Sequence, residues 1–213
     1  MFEINKLNFN KVYEGIYVMN SFYKDPHLIL DLFDKVSPSP FKWSLNSKNL
    51  INFSDLRHVF RHPDFLQVTQ NLKEYFKIDS AKTHHDVVQT NIFKMNCKSF
   101  NDYKNNYWMP HDDDIDGLKY TFIIYLNKKG CDGTNFYDTD NFDYHKDSEH
   151  AKPWVDKKNF KLLYNVKSQF NMCVAFKTNL LHGMAINSDE FFNDFRINQV
   201  TFLWENLIKK ATQ

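Results

Sequence analysis

Residues 109–120 read MPHDDDIDGLKY and place four aspartates and one histidine in the six positions 111–116. Asp112, Asp114, Asp116 and Gly117 match the D-x-D-x-D-G opening of an EF-hand calcium loop. That loop needs a bidentate Glu at its twelfth position. Here the position is Ile123, inside the apolar run TFIIYL, and no helical pattern flanks the stretch. A second reading is a solvated acidic turn ahead of a strand, the usual role of a charge run. A third reading uses two residues only. On an extended segment His111 and Asp113 project to the same side, while Asp112 and Asp114 point away. An imidazole and a carboxylate so placed can take adjacent positions on one metal ion. A redox iron centre of the 2-His-1-carboxylate type then needs one more histidine from a distant strand, and its remaining positions stay open for a co-substrate and O₂.

The chain changes character around this stretch. Upstream, VYEGIYVMNSF (12–22) reads as a strand and turn. Asp25-Pro26 opens DPHLILDLFDKV (25–36), whose apolar residues recur at helical spacing, and Ser37-Pro38-Ser39-Pro40 stops it. A second helix is expected across 54–75, broken near Pro63. From Val87 onward the pattern is that of strands: VVQTNIFKM (87–95), KYTFIIYLN (119–127), KLLYNVKS (161–168), MCVAFKT (172–178) and RINQVTFLW (196–204). These are short, rich in β-branched and aromatic residues, and separated by polar turns. Helices followed by a run of strands point to an α+β, mainly β chain. A sandwich or barrel is favoured over a parallel sheet, because strands and helices do not alternate. No repeat or low-complexity linker divides the chain. It is read as a single domain over 1–213, with 1–86 as helical and strand support and 87–206 as the core.

Composition limits what such a core does. The 213 residues are 42% hydrophobic and 17% aromatic, with 21 Phe and 11 Tyr against 5 Gly and 6 Pro, which argues against disorder. Lys and Arg total 27 against 26 Asp and Glu, a net charge of +1 that leaves no electrostatic footprint for nucleic acid or an acidic membrane. Cys97, Cys131 and Cys173 are odd in number, far apart and without a C-x-x-C pair. A disulfide framework or thiolate zinc site is therefore not expected, and a reducing, cytoplasmic setting is. The opening MFEINKLNFNKVYEG lacks the apolar core of a signal peptide, and no run is long enough to span a membrane.

Nine histidines are candidates for the distant ligand. His182 stands out: it follows the strand-like MCVAFKT and precedes Gly183, which allows close approach. His58 and His62 lie at i, i+4 in HVFRH, but the zinc-protease pattern needs Glu where Val59 stands, so a surface helix is the better reading. His84 and His85 diverge as strand neighbours, and His145 and His150 fall in a polar loop. Arg196 follows His182 by fourteen residues (196 − 182) and shares a strand face with Asn198 and Val200. A buried Arg needs an anion. A dicarboxylate co-substrate fits, chelating the metal through its keto-acid end and reaching Arg196 with its far carboxylate. A surface Arg or a structural ion pair is the alternative.

Taken in order, these residues resemble the Fe(II)/2-oxoglutarate-dependent dioxygenases, and within them the prolyl 4-hydroxylase type. His111-x-Asp113 resembles the iron-binding pair and His182 the distal ligand. Tyr125-Leu126-Asn127 is similar to the family's Y-L-N strand, Gly133-Thr134-Asn135-Phe136 to its G-G-x-x-F segment, and Arg196 to its basic residue. The resemblance covers roughly 87–205. The chain departs from the pattern at DGTNFY, where the family has a double Gly, at Asn198, where many relatives have Ser or Thr, and in a longer His-to-Arg spacing. What the resemblance implies is a double-stranded β-helix, a jelly-roll, cupin-like barrel with N-terminal helices packed outside. Fe(II) would be held by His111, Asp113 and His182, and 2-oxoglutarate by Arg196, Tyr125 and Asn198. The activity implied is hydroxylation of a small-molecule or peptide substrate, using O₂ and releasing succinate and CO₂. Gln89, Asn91, Tyr107 and Trp108 are candidates for the substrate pocket, and the loop 138–154 for a lid. Two other classes compete: a cupin-like binding barrel without redox chemistry, and a metal-dependent hydrolase with Asp112 or Asp114 as base.

Overall fold

The strand-like runs pair as they alternate. KYTFIIYLN supplies the hub of the larger sheet, β7 (Leu118–Tyr125), flanked by β11 (Cys173–Lys177) and β13 (Arg196–Trp204). The computed structural model describes residues 2–35, 39–40, 58–60, 65–78, 90–95, 103–108, 110–114, 117–129, 132–139, 154–188 and 196–204. The other strands are β1 (Asn10–Tyr13), β2 (Ile16–Met19), β3 (Ser39–Pro40), β4 (His58–Phe60), β5 (Thr90–Met95), β6 (Asn106–Trp108), β8 (Thr134–Asp138), β9 (Trp154–Asp156), β10 (Lys161–Val166) and β12 (His182–Met184). The helices are α1 (His27–Lys35) and α2 (Phe65–Tyr75).

Among the described residues every strand pairing is antiparallel. Eight strands form one sheet in the order β1-β2-β11-β7-β13-β5-β4-β3, three form a second in the order β10-β8-β12, and β6 pairs with β9. Along β7 and β11 the two faces of the large sheet follow the period of two. Phe122 and Ile124 of β7, Cys173 and Ala175 of β11 and Leu203 of β13 join Ile29 of α1 and Phe65, Val68 and Leu72 of α2 in one core. The alternate residues Tyr125, Val174 and Phe176, with Ile16 of β2, meet Phe136 and Val166 of the small sheet in another. The chain is thus mostly β, two antiparallel sheets face each other as in a β-sandwich, and the helices cover the outer side of the larger one. Full burial of one such Phe or Ile side chain contributes about 2 kcal/mol.

The ribbon β6-β9 adds cover on the far side of the small sheet, where Tyr107 and Val155 pack with Tyr137 and Phe160. Asn171, with φ +62, turns the chain between β10 and β11. Its side chain accepts from the Tyr23 N–H and donates to the Tyr23 C=O, each at 2.8 Å, and so ties the N-terminal segment to the core.

The helix expected across 54–75 is corrected. Residues 58–60 form β4, which pairs with β5 through Val59 opposite Phe93; Phe65–Tyr75 is helical as expected, and 54–57 and 61–64 lie outside the described residues. β-Branched and aromatic residues such as Val59 and Phe60 favour strands. His58 therefore lies on a strand, not on a helix face. Among the described residues no helix is long and apolar enough to cross a membrane.

Candidate metal centre

The stretch that follows Pro110 is extended and docks beside β12. His111 and His182 exchange both backbone hydrogen bonds, His111 N–H to His182 O at 2.8 Å and His182 N–H to His111 O at 2.7 Å. Two residues on, the Asp113 N–H donates to Thr178 O at 2.9 Å. This docking fixes the alternation, so His111 and Asp113 face the same way and meet His182. The imidazole centroids of His111 and His182 are 4.4 Å apart. Asp113 Oδ1 is 3.9 Å from His111 Nε2, and Oδ2 is 3.5 Å from His182 Nε2. One donor atom from each of the three residues lies within 4.8 Å of the others, a grouping able to hold a metal ion. Among the described residues no other cluster of His, Cys, Asp or Glu does so.

The three side chains differ in depth, 5% exposed for His182, 15% for Asp113 and 27% for His111. His182 packs its ring against Phe176 at 4.4 Å. Its Nδ1 is 2.9 Å from the Leu180 carbonyl. A carbonyl can only accept, so Nδ1 carries the proton and Nε2 keeps its lone pair toward the cluster. Burial first, then the neighbouring His111, push the His182 pKa down to about 4, against the opposing pull of Asp113 and the Leu180 carbonyl. At neutral pH the imidazole is uncharged, the form that ligates a metal.

Thr121 was not singled out by the sequence, yet its hydroxyl donates to Asp113 Oδ2 at 2.7 Å. It shares a face of β7 with Tyr125. Asp112 and Asp114 stay outside the cluster. The Asp114 N–H donates to Asp112 Oδ1 at 3.2 Å, a local turn, and Asp116 lies outside the described residues.

A second polar group borders the same inner core. Arg196 is 3% exposed. Its Nη2 donates to Gly133 O at 2.9 Å, while Nε and Nη1 find no hydrogen-bond partner among the described residues. The guanidinium carbon stands 6.0 Å over the Tyr125 ring, and the Tyr125 hydroxyl bonds the Thr134 hydroxyl at 2.6 Å. Tyr125 belongs to the cluster of Phe136 and Phe176 against which His182 packs. Asn198 is buried two residues along the same face of β13. A buried cation with idle donors is costly unless an anion completes it.

The remaining candidates are placed differently. Tyr107 puts its ring 4.6 Å from that of Tyr137, in the cluster behind the small sheet. Trp108 is buried at 2% exposure. Asn91 sits on β5 opposite Val200. Gln89, His62, His84, His85, His145, His150 and most of the 138–154 loop lie outside the described residues.

No family model and no curated protein matches the chain. Among solved structures, a protein described as an oxidoreductase of the 2OG-Fe(II) oxygenase family from Burkholderia pseudomallei is similar at 11% identity and TM-score 0.35, over 92% of this chain and 71% of that one. EvdMO1 is similar at 14% identity and TM-score 0.45, over 89% of this chain and 47% of its own length. AviO1 from Streptomyces viridochromogenes Tue57 is similar at 14% identity and TM-score 0.40, over 85% of this chain and 80% of that one. Likenesses this distant leave the reading of the site to its own geometry.

Proposed function

We propose that the chain is an Fe(II)- and 2-oxoglutarate-dependent dioxygenase that hydroxylates a C–H bond of an amino acid, a peptide or another small substrate, and that its sandwich is a double-stranded β-helix. The observation that carries this reading is the meeting of His111, Asp113 and His182 beside an inner core that also holds Arg196 with idle donors. The donor set fits the metal: two imidazole nitrogens and one carboxylate are the protein half of an iron centre with open positions. The Arg196 environment fits the co-substrate: a buried guanidinium beside a tyrosine and a threonine hydroxyl suits a carboxylate.

Fe(II) bound there supplies the redox chemistry by which 2-oxoglutarate, O₂ and a substrate C–H yield succinate, CO₂ and C–OH. The protein's part is orientation and exclusion of water. His182, held by the Leu180 carbonyl, presents Nε2 as a neutral donor. Thr121 fixes the Asp113 carboxylate. Arg196 takes the far carboxylate of 2-oxoglutarate, with Tyr125 and Asn198 alongside. Phe136 and Phe176 keep the His182 side of the site dry.

The test is spectroscopic. Fe(II) and 2-oxoglutarate added to the protein without oxygen are expected to give a weak visible charge-transfer band, and His182→Ala to abolish it. Absence of the band together with absence of Fe(II) binding overturns the reading. A band without succinate release across amino acids, peptides and nucleotides leaves a binding barrel of cupin type instead.

A further inference from the structure

The residue before Gly133 breaks the double-Gly pattern of the resembled family, and the structure gives it a task. Asp132 Oδ2 accepts the Asn187 N–H at 2.6 Å, the Ser188 N–H at 3.2 Å and, at 3.4 Å, the Ser188 hydroxyl. The Asp132 carbonyl accepts from Asn165 Nδ2 at 3.1 Å. The Gly133 carbonyl accepts twice, from the Ala185 N–H at 3.0 Å and from Arg196 Nη2 at 2.9 Å. Residues 132–133 are thus sewn to 185–188 by one carboxylate and one carbonyl, and that carbonyl is what aims the guanidinium. Gly133 itself has no slack for another conformer. Its φ is +83, and a Cβ there would lie 1.8 Å from Val166 O.

We propose that Asp132 is a positioning residue for the anion pocket: its carboxylate fixes the backbone of 132–133 against 185–188, so that the Gly133 carbonyl holds Arg196 with Nε and Nη1 directed to an incoming carboxylate. The proposal rests on the dioxygenase reading above, which assigns that carboxylate to 2-oxoglutarate. Asp132 lies outside the cluster of His111, Asp113 and His182, so its effect falls on the co-substrate and not on the metal.

Calorimetric titration of 2-oxoglutarate into the full chain loaded with Mn(II) tests it, with Mn(II) affinity measured separately by electron paramagnetic resonance. Asp132→Ala is expected to weaken 2-oxoglutarate binding about tenfold, the scale of one lost hydrogen bond to a charged group. Mn(II) affinity stays unchanged. Asp132→Asn, whose amide oxygen still accepts both N–H groups, recovers most of the loss. Should Asp132→Ala fail to fold, Asp132→Ser, which reaches one N–H at most, shows a smaller loss in the same direction. Unchanged 2-oxoglutarate affinity in the Ala or Ser variant overturns the proposal, as does a parallel fall in Mn(II) affinity. If the unsubstituted protein binds Mn(II) but no 2-oxoglutarate, the dioxygenase reading falls and this one with it. If that protein binds both and the variants match it, only this one falls.

Discussion

The Thr121 hydroxyl stands 2.7 Å from Asp113 Oδ2, on a side chain only 1% exposed. A carboxylate ligand free to rotate would bind a metal less well than one already held, and partners of this kind commonly change metal affinity 10- to 100-fold, as a rough range. Thr121→Val keeps the shape and removes the donor. It is expected to weaken Mn(II) binding about tenfold, with Thr121→Ser restoring it, as measured by electron paramagnetic resonance titration. Equal affinities in all three proteins would contradict the role. The placement of Asp113 with His111 and His182 was legible in advance, because alternation on an extended segment separates it from Asp112 and Asp114. Thr121 was not, because a threonine in a strand looks like any other β-former until its partner is seen.

Between elements, the Asn171 side chain bonds both backbone groups of Tyr23 and imitates a strand partner at a place where no strand exists. The same residue donates its own N–H to Tyr125 O at 2.8 Å, so the clamp reaches the strand that carries Tyr125. Asn171→Ala removes two buried hydrogen bonds, takes from the Tyr23 N–H its partner while Asn5 Nδ2 still reaches the Tyr23 carbonyl at 3.2 Å, and puts Ala at φ +62. A loss of about 2–4 kcal/mol is expected from urea unfolding. A midpoint equal to that of the unsubstituted protein would show that water replaces the clamp. At this scale legibility depended on length. The longer runs that became β7, β10, β11 and β13 carry enough β-branched and aromatic residues to read as strands. β6, β9 and β12 have three residues each, too few for a period to register. At β4 the sequence HVFRH fits a helical spacing, and the pairings with β3 and β5 decide otherwise.

Across the whole molecule, the sandwich buries a titratable group at its inner core, and stability should report it. His182 is held down to about 4, first by burial and then by His111. An unfolded histidine titrates near ~6.5. Between these values the unfolded chain takes up a proton that the folded chain refuses. The contribution is therefore intact above the unfolded pKa and is lost as pH falls toward the folded one, with a limit on the order of 3 kcal/mol. Urea unfolding of the metal-free protein is expected to show a lower midpoint at about pH 4.5 than at about pH 7, and His182→Gln a shallower dependence. Identical profiles for the two proteins would rule the effect out. The two-sheet plan was readable from the absence of alternating helices and strands. The facing of His182 and Arg196 onto one core was not, since it depends on how the small sheet lies over the large one.

The reciprocal backbone pair between His111 and His182 bears on durability. Two of the three donors are tied to each other by main-chain bonds that owe nothing to an ion. On the proposed reading, loss of an ion from the cluster would leave these two main-chain bonds in place, and with them the spacing of the two histidines.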